Sequence, residues 1–127
     1  MKKALYVPIC TMAVVLAFSL WAGCFVENRT EKWSDSLWSV NRLAEQGHWT
    51  DAAERLDTVY QSWSDNKTFL HTIIKHDDLD RAESLFAGAY AACVQQDDPD
   101  FSIQLAQLVS QLELIAETQA VSIKNIL

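Results

Sequence analysis

Helix breakers are almost missing from this sequence, which has three glycines and two prolines in 127 residues. Long helices with short connections are therefore expected. Gly23, Gly47 and Gly88 stand far apart, so no glycine-rich loop is available to cradle a phosphate. Cysteine supplies no disulfide framework: Cys10 lies inside the first apolar run and Cys24 near its end, which leaves Cys93 alone beyond it. A lone cysteine at a helical core spacing is read as a small hydrophobe. Nucleophilic catalysis finds no support, because Cys93 has no positive neighbour close in sequence and no Gly-x-Ser-x-Gly turn exists. Positive charge is scarce as well. All 17 acidic residues lie from Glu27 onward, against eight of the 10 basic ones, a net charge of −9 in that part. Such a surface is repelled by nucleic acid and by anionic lipid, so no nucleic-acid partner is expected.

What is present begins with a run of 23 residues, Ala4 to Val26, that carries no charged side chain. At about 1.5 Å per residue a helix of some twenty apolar residues spans the roughly 30 Å hydrocarbon layer of a bilayer. Three readings compete. An uncleaved anchor fits the length, which exceeds the core of a secretory signal. A lipoprotein signal fits Ala22-Gly23-Cys24, small residues before a cysteine that is a candidate for lipid attachment, although Trp21 stands where a small aliphatic residue is expected. Ordinary cleavage would release the rest. Lys2 and Lys3 before the run place the N-terminus in the cytoplasm by the positive-inside rule, with the C-terminal part outside. Residues 1–27 are thus read as a membrane anchor and 28–127 as one extracytoplasmic helical domain.

The domain shows helical periodicity throughout. Trp33, Leu37, Val40 and Ala44 recur at steps of four and three between Asn28 and Gln46, and Gly47 ends that helix as its C′ residue. Nothing separates this helix from the anchor, so the two could form one rod; Thr30 could equally start a fresh helix as an N-cap. Thr50, followed by Asp51 and Glu54, reads as the N-cap of the next helix, to about Lys75. Its stripe is Trp49, Ala53, Leu56, Tyr60, Trp63, Lys67, Leu70 and Ile74, with Ser64-Asp65-Asn66 as a weak point. His76-Asp77-Asp78 has the composition of a turn. Leu79, Ala82, Phe86, Ala89 and Cys93 form a third stripe, on a helix where Gly88 lets a neighbour approach. Asp98 as N-cap and Pro99 at the first helical position open the last helix, which carries Phe101, Leu105, Leu108, Leu112 and Ile115; Ile123, Ile126 and Leu127 are expected to pack. The fold class is all-α: an N-terminal transmembrane helix followed by an antiparallel up-down bundle of about four helices. A helical-repeat layout is the rival, since Gly47 to Ala53 looks like the start of a tetratricopeptide-type pair, but no second copy recurs at a fixed period.

Three local patterns resemble a family: Trp49 with Ala53, Leu56 and Trp63; the stretch Ile73-Ile74-Lys75-His76-Asp77-Asp78-Leu79-Asp80; and Asn125-Ile126-Leu127. Together with the apolar run they resemble a domain-of-unknown-function family of small single-pass membrane proteins from Gram-positive, largely clostridial, bacteria. The chain departs from that family's pattern at Lys75, where the family has an acid. The resemblance implies an anchored helical domain outside a cell with one membrane, and it implies no activity.

His76 and Asp80 are the polar pair singled out, because four residues across a helix start let a carboxylate face an imidazole. As a functional pair they would be a metal ligand set or a proton-responsive latch. As a structural pair, His76 would sit at the C-terminal end of one helix and Asp77 or Asp78 would cap the next. His71, five residues before His76, is badly placed to share its face on a straight helix, and Glu45 with His48 is interrupted by Gly47. The clusters Asp77-Asp78-Asp80 and Asp97-Asp98-Asp100 do not follow a calcium-loop pattern. No cofactor and no enzymatic activity are expected. The sequence points to an interaction module tethered to a membrane and accessory to another membrane protein, a multi-span one; the alternative is a sensory bundle binding a ligand or cation.

Overall fold

The computed structural model describes the backbone of residues 2–126 and the side chains of residues 4–119. Four helices fill it: α1 (Lys2–Glu45), α2 (Trp49–Ile73), α3 (His76–Val94) and α4 (Asp98–Ile126). The expected packing of Ile123, Ile126 and Leu127 concerns side chains outside the described residues.

Each helix packs on its successor, and α1 closes the ring against α4. Paired residues run in opposite directions along neighbouring helices. Trp21 and Trp33 of α1 meet Phe69 and Trp63 of α2, and Tyr60 and His71 of α2 meet Phe86 and His76 of α3. Gly88 and Asp78 of α3 lie against Gln104 and Gln111 of α4. The result is an antiparallel up-down bundle, as the periodicity implies.

The first helix is one uninterrupted rod, which decides between the two arrangements open at sequence level. Thr30 is not a cap; it is buried in the middle of α1. Apart from the half-buried Leu16, the large apolar side chains from Leu5 to Trp21 are exposed, whereas Ala22, Val26, Trp33, Leu37, Val40 and Ala44 are buried. One helix therefore has two halves with different surroundings: an apolar projecting stretch, then a wall of the bundle. Where they join, Trp21 and Phe25 pack edge-on against Phe69, with ring centroids 5.6 and 4.9 Å apart. The Arg29 guanidinium lies 5.2 Å from the Phe25 ring centre, within cation–π range.

Helix ends follow from local chemistry. At the end of α1, Gly47 adopts φ +80°; its N–H donates to the Ala44 carbonyl (3.0 Å) and that of His48 to the Leu43 carbonyl (2.9 Å). This is a Schellman cap, and the glycine fills it as expected. The end of α3 repeats it without a glycine: Gln96 takes φ 56°, its N–H donates to Cys93 (3.1 Å) and that of Asp97 to Ala92 (3.0 Å).

Three start positions differ from the sequence reading. Helix α2 begins at Trp49, and the His48 carbonyl accepts its first bond from Ala52, so Thr50 lies inside the first turn rather than capping it. His76, Asp77 and Asp78 are the first turn of α3; the reversal is made by Ile74 and Lys75, both with extended ψ. The N-cap of α4 is Asp97, whose Oδ1 accepts the Asp100 N–H (3.3 Å) and whose carbonyl accepts that of Phe101 (2.8 Å). Asp98 and Pro99 move one place into the helix. Ser64-Asp65-Asn66 leaves α2 unbroken, with Asn66 Nδ2 donating to the Ser62 carbonyl (2.7 Å).

The core is aromatic at its centre. Trp63 lies between Trp33 and Phe86, with centroids 5.5 and 5.8 Å away, and the Trp33 indole donates to Ser62 Oγ (2.9 Å). Leu79, Ala82, Phe86, Ala89 and Cys93 of α3 and Phe101, Leu105, Leu108, Leu112 and Ile115 of α4 are all buried. On α2 the buried set is Ala52, Leu56, Val59, Trp63 and Leu70; Ala53 and Tyr60 sit on its shoulder, partly covered.

Candidate functional site

Polar side chains gather along two seams, one between α2 and α3 and one between α1 and α4. In the first, Glu83 of α3 receives a hydrogen bond from the Tyr60 hydroxyl (3.1 Å) and an ion pair with the Lys67 ammonium. The Lys67 hydrogen bond outweighs partial desolvation and, with that of Tyr60, holds the Glu83 carboxyl below its usual range. Glu83 in turn raises the Lys67 ammonium and the Tyr60 phenol, each chiefly through its hydrogen bond. Lys67, the single polar interruption of the α2 stripe, is thus the place where α2 is tied to α3.

Further along this seam, the reversal at Ile74 and Lys75 brings His71 and His76 together, with ring centroids 5.3 Å apart. Their five-residue spacing separates them on a straight helix; the helix break removes that separation. His76 Nε2 stands 3.2 Å from Asp80 Oδ2, and both side chains are more than half exposed. His76 is at the start of α3, not at the C-terminal end of α2. An exposed pair of this kind contributes little to stability. Among the described residues no group of three or more His, Cys, Asp and Glu side chains is placed to hold a metal ion. Beside Glu83 the seam opens into a cavity of about 320 Å³ lined by Leu56, Asp57, Tyr60, Phe86, Ala87 and Tyr90. Its walls are aromatic and its polar groups are two carboxylates and two phenols.

The second seam is a trough of about 450 Å³ between α1 and α4. Glu27, Glu31 and Asp35 line it from α1 at successive intervals of four residues, and Glu113 faces them from α4. Thr30 and Ser34 form its buried floor. Ser34 Oγ has no hydrogen-bond partner. Trp38 lines the same trough and is 44% exposed. The acidic stripe on α1 is readable as an i, i+4, i+8 pattern, but it gains meaning only from the α4 wall, 78 or more residues away in sequence.

Two cysteines complete the inventory. Cys24 is exposed on α1, within the unbroken helix. Cys93 is buried with its thiol pKa raised by burial, and its Sγ lies 3.7 Å from the Trp49 carbonyl oxygen. That environment suits a packing residue rather than a nucleophile.

The family described as "Domain of unknown function (DUF4363)" matches residues 20–126. No curated protein and no solved structure matches the chain.

Proposed function

Taking as premise that the chain belongs to the DUF4363 family of unknown function, we propose that it is a non-enzymatic, membrane-tethered interaction module. Its bundle projects from the outer face of the cell membrane, Lys2 and Lys3 stay in the cytoplasm, and its partner is another membrane protein. One observation carries this reading: the exposed apolar half of α1 runs without a joint into the half that walls the bundle. A stretch this apolar is long enough to cross a bilayer, by length and composition. Tethering raises the effective concentration of a weak binder near membrane partners without any catalytic equipment.

Crosslinking the tagged full chain in intact native membranes, with mass spectrometry of captured proteins and of the bait's N-terminal peptide, tests the proposal. The expected result is a reproducible heterologous membrane protein and an intact N-terminus. A bait N-terminus at a lipid-modified Cys24 would replace the helix by a lipid as the tether; a soluble, cleaved bait with no neighbour would sink the proposal. The α2–α3 cavity favours a second reading, a sensory bundle that holds a small molecule or cation beside Glu83 and Asp57, with the exposed His76–Asp80 pair on the same seam but outside the cavity lining. Calorimetry of the full chain with zinc, calcium and a pH step through 6 should then give heat or a thermal shift, and silence in all three removes that reading.

A further inference from the structure

The α1–α4 trough is built to receive positive charge, and we infer that it docks a Lys- or Arg-bearing segment of a partner protein close to the bilayer. This inference rests on the tethered-module reading above and names the face and the chemistry of its contact. Four carboxylates, Glu27, Glu31, Asp35 and Glu113, share one opening. Among the described residues none of them has an ion-pair partner; the two pairs present are Lys67–Glu83 and His76–Asp80. Like charges four residues apart on a helix are mutually repulsive. The row Glu27–Glu31–Asp35 therefore gives the isolated fold nothing, and a cation seated between them would reverse its sign.

The trough floor points the same way. Ser34 is 8% exposed and its enclosed hydroxyl is unpaired, an arrangement that costs free energy until a partner arrives. Carboxylates and a hydroxyl oxygen are acceptors, whereas an ammonium or guanidinium brings donors only. Trp38 adds a half-exposed aromatic face, the surface on which a cation gains further attraction. A metal ion fits less well, because the carboxylates are not gathered into a metal-holding group. Height selects the kind of partner. Glu27 and Asp35 stand six and fourteen residues beyond Trp21, the last exposed apolar residue of the projecting half, or about 9 and 21 Å along the axis. That zone is where the first extramembrane residues of a neighbouring membrane protein lie.

The test uses the full chain in nanodiscs of neutral phosphatidylcholine and a helical peptide bearing four Lys and Arg, with its all-Gln counterpart as the uncharged probe. Binding is read by calorimetry at two salt concentrations. The basic peptide should bind and the Gln peptide should not, with affinity falling as salt rises. The combined variant Glu27→Gln, Glu31→Gln, Asp35→Asn, Glu113→Gln should weaken binding at least tenfold, and Ser34→Ala several-fold. A second variant, Asp51→Asn, Glu54→Gln, Asp65→Asn, Asp77→Asn, removes the same charge from exposed positions elsewhere and should leave binding within about twofold. Equal loss in both variants would reduce the effect to net charge and overturn the inference, as would no binding of the basic peptide. Neighbours captured in native membranes through another face would leave the tethered module standing while this docking site falls.

Discussion

One carboxylate, Glu83, links two helices, since it accepts from Tyr60 and pairs with Lys67. Its folded pKa is depressed below 4.5, so its contribution is present above that value and is lost as pH falls through the folded pKa. Lys67 is raised above 10.5; its contribution is complete below that value and lost as pH climbs past the folded one. Both are in force between these limits. With each side chain about a third exposed, the pair contributes about 0.5 kcal/mol after solvent screening. Thermal melts should show wild type losing stability below pH 4.5 more steeply than Glu83→Gln. The sequence displays Lys67 only as a polar break in an apolar stripe, because its partner lies 16 residues ahead on another helix. Side-chain pairing across a bundle seam has no periodic signature, and the same holds for Ser34, whose missing partner is visible only once α4 covers it.

At the scale of elements, helix existence was legible and so was facing on α1, α3 and α4, because apolar spacing dictates which side of a helix can be buried; on α2 the buried face is turned toward Ala52 and Val59, leaving Ala53 and Tyr60 of the expected stripe partly covered. The starts were less legible. Thr50 and Asp98 are good N-cap residues one or two places inside helices whose boundaries are set by the preceding Schellman turns, and a cap residue cannot override a turn already closed behind it. Gly47 advertises its turn; Gln96 performs the same role without the composition that would reveal it. An L residue in left-handed backbone costs about 1–2 kcal/mol, partly offset by the greater chain entropy that glycine gives up on folding. Gln96→Gly should therefore stabilise by about 0.5–1 kcal/mol and Gly47→Ala destabilise by about 1 kcal/mol, read from urea midpoints. Nothing lies within 4 Å of a Cβ at Gly47, so that cost is purely conformational. Gly88 behaves differently. A Cβ there would meet Gln104 Oε1 at 2.8 Å, the far end of a side chain that can swing away, so Gly88→Ala should gain up to about 1 kcal/mol of helix propensity.

For the whole molecule, the ring of four helices means that removing one wall opens the core along its length. Ala22 and Val26 are buried against the bundle although they belong to the long apolar run, so composition and packing divide the chain at different places. A fragment from residue 21 onward, which keeps the Trp21–Phe69 contact, should unfold at nearly the urea midpoint of the full chain. One starting at residue 28 should lose about 1.5–3 kcal/mol, the worth of one buried aliphatic side chain, and one starting at residue 46 should not fold. Equal midpoints for the first two would mean that Val26 contributes nothing.

The unbroken α1 does more than hold the bundle at a height. A helix turns 100° per residue, so a rod without a joint fixes azimuth: the face that the projecting half shows to its neighbours determines the compass bearing of the α1–α4 trough. Adding one residue at the junction would keep every contact within each half and swing the trough by about 100°. Under the tethered-module proposal, in which partners would be confined to the plane of a bilayer, that phase relation sets which neighbours could reach the trough.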